Sequence, residues 1–123
     1  MHRFVSYGRL GFVIIAIGII YLLVQRPEIR DSYANWDKYA HAVAFLLVWF
    51  ALRWSLSWPV MQLTVLSAAL GGAVEIHQMF LPGFNPSWAD WAADLGGIAV
   101  AVGIFGVFRT LSSSVRAAVG RER

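Results

Sequence analysis

Cysteine is absent from the 123 residues. That excludes a disulfide framework and any thiolate metal or redox chemistry. Charge is scarce as well, at 14% of residues against 59% hydrophobic. Soluble domains carry about one-quarter charged residues, so the chain is displaced toward the membrane class. The net charge of +3 comes from basic residues scattered among apolar segments. No basic stripe marks a soluble face, which excludes a nucleic-acid partner. The chain also lacks a serine-centred nucleophile motif and an HExxH zinc motif. No internal repeat or low-complexity stretch is visible.

What is present is a set of greasy segments separated by polar turns. The first covers about 7–25, with an uncharged core over 10–24. Arg3 and Arg9 precede it as they would in a signal peptide. Val24-Gln25-Arg26-Pro27-Glu28 lacks the small-x-small cleavage pattern, so the segment reads as a retained transmembrane helix. A polar loop over 26–36 contains Pro27 as a helix stop.

The second segment, 37–56, has a strictly uncharged core over only 39–52, shorter than the ~17–25 apolar residues of a span. Lys38 and Arg53 can snorkel, and Trp49, Trp54 and Trp58 suit an interfacial belt, so a span is favoured. A third segment covers 59–80, with Pro59 expected in its first turn. The fourth covers 88–111, with Ser87 as N-cap and Asp90 placed to complete the cap. A polar, basic tail follows over 112–123.

The expected fold is therefore all-α, a single domain over 1–123 with four transmembrane helices in a compact bundle. With both termini inside, seven Lys and Arg fall inside and three outside, which favours the N-in/C-in topology. Asp37, Lys38, His41, Glu75, Gln78, Asp90 and Asp94 then all lie near the outer ends of their helices. Carboxylates are expensive at such positions, where greasy segments meet a turn.

Helical spacing aligns these groups. Asp37, His41 and Phe45 share one face, and Ser67, Gly71, Glu75 and Gln78 form a stripe, small below and polar above. Asp90, Asp94, Gly97 and Ala101 form another. Small residues beneath polar ones are what closely packed membrane helices use, so the stripes should face one another. His77 falls off the Glu75 stripe.

Several readings fit this cluster. Glu75 can pair with His41 and Asp37 with Lys38, leaving a set of staples between helices. Asp90 taken alone reads as a helix-start acid. The excess of acids over bases leaves room for a divalent cation, for which His41, Glu75 and Asp94 are the candidate ligands. A proton relay through Glu75 and His41 is another alternative, and a metal-assisted membrane hydrolase a further one. No other cofactor is expected, and a binding role stands ahead of an enzymatic one.

Asp37-Lys38-x-x-His41-x-x-x-Phe45, at the head of one helix, resembles the DKxxHxxxF segment of VanZ-like membrane proteins. Glu75-x-x-Gln78-x-Phe80-x-Pro82-Gly83, followed by Ser87, Asp90 and Gly97, is similar to that family's second block. The resemblance spans roughly 10–110. It departs at Phe84, where the family commonly has Arg, and at Asp94, where it commonly has Asn. The first removes an anion partner and the second makes the site more acidic.

The family is associated with resistance to the glycopeptide antibiotic teicoplanin. The resemblance implies a multi-pass protein of the bacterial inner membrane with Asp37, Lys38, His41, Glu75, Gln78 and Asp90 as motif positions. The resemblance supplies a cell-envelope context, and the convergence of these positions from three helices at one level leads to the expectation of an outward-facing polar pocket for a lipid headgroup or lipid-linked envelope precursor, affecting glycopeptide susceptibility. Membrane lipid is the expected partner, with other membrane subunits or a second copy as further ones. The alternative is a scaffold or accessory subunit whose polar cluster only staples helices.

Overall fold

A computed structural model describes residues 7–24, 36–84 and 87–121. The expected loop over 26–36, apart from Trp36, and the Asn85-Pro86 part of the later turn lie outside the described residues, as do Arg3, Arg26, Arg30 and Arg123. The described residues form four helices, in chain order α1 (Tyr7–Val24), α2 (Trp36–Ser55), α3 (Val60–Gln78) and α4 (Trp88–Arg121). Among the described residues there is no strand.

The helices begin and end close to where the apolar segments do. Pro59 stands one residue earlier than expected. It is the N-cap of α3, and its carbonyl accepts from the Leu63 amide at 3.2 Å. At the other end of α3 the amides of Phe80 and Leu81 bond to the carbonyls of His77 and Gln78, three residues back. That tightening ends the helix. Phe84 then bonds back to the Leu81 carbonyl across Pro82-Gly83, with Gly83 at φ 84°. Proline at the first central position and a positive-φ glycine at the second are what a type II turn requires.

The fourth helix corrects the expected tail. Rather than stopping near residue 111, α4 continues to Arg121. Thr110, Ser112, Ser113 and Ser114 each turn a hydroxyl onto a carbonyl three or four residues back, at 2.8–3.0 Å. Polar side chains satisfied within the helix give it no reason to end.

Packing is most extensive between α2 and α4; α1 also packs on α2, and α3 on both α4 and α2. The α2–α4 crossing is set by Gly97, because a Cβ there would overlap the carbonyl oxygen of Ala42. Only glycine permits that approach of two backbones. Below the crossing lies an apolar core of Val13, Phe45, Val48, Trp49, Leu63 and Ile98.

Trp49 belongs to this core and not to an interfacial belt. It is fully buried, donates its indole N–H to Thr64 Oγ1 at 3.2 Å, and packs edge-on against Phe50 and Phe105. Trp54 and Trp58 are exposed. Arg9 lies 5.4 Å over the Trp54 ring and Arg53 lies 5.0 Å over Phe105, two cation–π contacts near one end of the bundle.

The outward faces are apolar: Val43, Leu47, Met61, Val65, Ile104, Val107 and Phe108 are all exposed. By length and composition, α3 and the Trp88–Gly120 stretch of α4 are long and apolar enough to cross a membrane.

Candidate functional site: a buried polar cluster where three helices meet

The two expected stripes are buried along their length. On α3, Ser67, Gly71, Glu75 and Gln78 are all buried, and on α4 so are Asp90, Asp94, Gly97 and Ala101. They meet the buried face of α2 at His41 and Phe45. Asp37 and Lys38 sit half-buried at the rim. The seven polar positions thus lie toward one end of α2, α3 and α4. His77, as the spacing implies, is off the stripe; it is exposed and borders a separate apolar groove of about 340 Å³ with Ile17, Phe45 and Leu70.

The pairing inside the cluster differs from the simplest expectation. The close partner of His41 is Asp94, not Glu75: Nδ1 is 2.8 Å from Asp94 Oδ1 and 4.0 Å from Glu75 Oε1. With Asp94 ionised and His41 neutral, Nδ1–H donates to Asp94 and the second ring nitrogen, Nε2, keeps its lone pair. Asp94 is completely buried. Its second oxygen, Oδ2, rests over Gly71, where an added Cβ would stand 2.8 Å away. The small residue on α3 therefore makes the recess that the α4 carboxylate fills.

Glu75 has a different duty. Its Oε2 accepts from the backbone N–H of Ser87 at 3.0 Å. Ser87 is the N-cap of α4, with its hydroxyl accepting from the Ala89 amide at 3.1 Å. In a capping box the third helical residue would return to the N-cap amide. Here Asp90 occupies that place in sequence, yet Glu75 from α3 supplies the carboxylate. Asp90 is released to face Lys38, whose Nζ is 3.8 Å from Oδ1. Lys38 also lies 3.4 Å from Asp37, a half-exposed pair of the kind that contributes little.

Three carboxylate oxygens in this cluster remain buried without a hydrogen-bond partner: Glu75 Oε1, Asp90 Oδ1 and Asp94 Oδ2. Native structures leave few such atoms, because an orphaned buried polar group costs about 1–3 kcal/mol. His41, Glu75 and Asp90 each offer a ligand atom within 4.8 Å of the others, so Asp90 takes the place that spacing assigned to Asp94 in a candidate cation set.

Beside the cluster, a cleft of about 270 Å³ opens between the end of α3 and the start of α4. Glu75 and Ser87 line it together with Ile76, Met79, Trp88 and Trp91. The tryptophan rings meet edge-to-face at 5.9 Å, and Trp91 is fixed by an indole bond to the Ala68 carbonyl at 3.2 Å. None of these apolar wall residues was singled out from sequence. The available signal was that Ile76 and Met79, and Trp88 and Trp91, are each three apart and so share a helix face. Comparison with protein-family models, curated proteins and solved structures finds no match to this chain.

Proposed function

We propose that the chain is a VanZ-like protein of the bacterial inner membrane that crosses the bilayer four times with both ends inside. Its polar cluster is then an outward-facing pocket for the headgroup of a membrane lipid or a lipid-linked envelope precursor. The inside-out distribution of polarity supports the membrane part. Carboxylates, histidine and glutamine are buried between helices while large apolar side chains face outward, the arrangement that lipid favours and water does not. At 1.5 Å per residue the 34 residues of α4 extend roughly 50 Å. A bilayer core takes ~30 Å of that, which leaves the stretch bearing Arg116 to protrude on the inner side.

One observation carries the binding role: Glu75 stands on the boundary between the buried polar cluster and a mostly apolar cleft walled by Ile76, Met79, Trp88 and Trp91. A site that is polar at its floor and apolar along its walls suits an amphiphile with its head inward. Glu75→Gln and His41→Ala, made singly, should each reduce lipid capture by purified protein and change glycopeptide susceptibility in cells. Two well-expressed variants that behave as wild type in both assays would sink this reading.

A scaffold whose cluster staples helices is favoured by a separate observation, the two internal bonds His41–Asp94 and Glu75–Ser87. On that reading the same substitutions lower thermal stability in detergent. Lost lipid capture with stability unchanged counts against it.

A further inference from the structure

We propose that His41, Glu75 and Asp90 hold one divalent transition-metal ion of the zinc(II) or manganese(II) class, with Asp94 orienting the imidazole. The three residues come from α2, α3 and α4, all are buried, and their ligand atoms lie within 4.8 Å of one another. Two ligands at about 2.0–2.4 Å from a shared ion can be no more than ~4.8 Å apart. The spacing meets that limit, and closing all three ligand atoms onto one ion takes inward shifts of the side chains.

Each ligand is presented in the form a metal needs. Asp94 accepts from Nδ1 of His41 at 2.8 Å, so a metal would take Nε2 of the neutral imidazole; Nδ1 is also the nitrogen 4.0 Å from Glu75 Oε1, so binding requires the ring to tilt toward the ion. A carboxylate behind a histidine is the usual support of a metal-bound imidazole. Glu75 is anchored through Oε2 by the Ser87 amide, and its Oε1 is buried and unpartnered. Asp90 Oδ1 is likewise buried and without a hydrogen bond.

Asp94 itself is a positioning residue and not a ligand. Its Oδ1 is committed to His41 and its Oδ2 lies against Gly71. Charge points the same way. Glu75, Asp90 and Asp94 bring three carboxylates, while Lys38 supplies the nearby cation, 3.8 Å from Asp90. The Lys38 side chain is 39% exposed and can turn to water when a metal takes Asp90. One imidazole with two carboxylates selects first-row metals over magnesium and calcium, which prefer oxygen alone.

The inference uses the same cluster as the proposed pocket but does not depend on what occupies the cleft. Full-length protein in detergent is stripped with EDTA, equilibrated with zinc or manganese, desalted, and its bound metal measured by mass spectrometry. Wild type and the distant, exposed variant Ser113→Ala should retain one ion per chain, and zinc should raise their melting temperature. The Glu75→Gln/Asp90→Asn double variant should fall to the background of protein-free micelles. Asp94→Asn should keep the site with about 10–100-fold weaker affinity, and x-ray absorption of the wild-type zinc form should show imidazole scattering. Wild type at background overturns the proposal whether or not the variants fold, and so does an ion retained by the double variant. Lipid capture in EDTA separates the two readings: lipid bound without metal leaves the pocket standing alone, and metal bound without lipid does the reverse.

Discussion

Gly96 and Gly97 are adjacent in α4, and the structure separates their roles sharply. A Cβ on Gly97 would overlap the Ala42 carbonyl oxygen and lie 2.8 Å from its carbon and 3.0 Å from the Ala42 Cα. Carbon atoms in contact prefer ~3.5–4.0 Å, so α2 and α4 must separate by at least roughly 0.5–1 Å, and by more to clear the carbonyl oxygen. The obstacle is backbone, which no rotamer change can move aside. The α2–α4 interface is the most extensive in the fold, and a gap of 0.5–1 Å forfeits about a quarter to a half of each contact's attraction.

Overpacking of this kind costs about 1–3 kcal/mol. The gain from replacing a helical glycine by alanine, roughly 0.5–1 kcal/mol, offsets only part of it. Gly96→Ala meets nothing within 4 Å at an exposed position and should show that gain alone. The assay is equilibrium unfolding of both variants in mixed micelles, followed by tryptophan fluorescence and helical circular dichroism. Gly97→Ala should be destabilised and Gly96→Ala neutral or slightly stabilised. Equal stability of the two variants would refute the backbone crossing at Ala42.

A double-mutant cycle of His41→Ala and Asp94→Ala in the same unfolding assay should give a coupling of about 0.6–2 kcal/mol, the range of polar contacts between membrane helices. A coupling indistinguishable from zero means that the 2.8 Å contact does not hold the helices together. Ser87→Ala should cost about 1 kcal/mol through the lost hydroxyl cap, and the loss should persist in a Glu75→Gln background. Glu75 bonds the Ser87 amide and not its hydroxyl, so the two effects should add.

Much of the cluster was legible from spacing. The stripes Ser67-Gly71-Glu75-Gln78 and Asp90-Asp94-Gly97-Ala101 follow from helical periodicity, and every member is buried. Trp49 was misread from residue type, because tryptophan near a helix end suggests an interface. The period in fact places it with His41, Phe45 and Leu52 on one buried face. The extension of α4 past residue 111 was hidden by its polarity, since a helix that leaves an apolar setting keeps its backbone bonds while losing its apolar signature.

Partner choice inside the cluster was not legible. Sequence spacing orders groups along one helix, where 1.5 Å per residue and 100° per residue are fixed by the backbone. It carries no information on the depth or rotation of one helix against another. Whether His41 meets Glu75 or Asp94 turns on that offset, and the offset is set by the Gly97–Ala42 crossing. The packing of α3 on α4 brings Glu75 to the Ser87 amide, and that of α2 on α4 brings Asp90 toward Lys38. Composition and periodicity were therefore enough for an all-helical chain with an acidic, partly small-residue interior. The pairing of its buried charges required the helices to be packed, because those contacts are made between segments whose relative positions no local rule specifies.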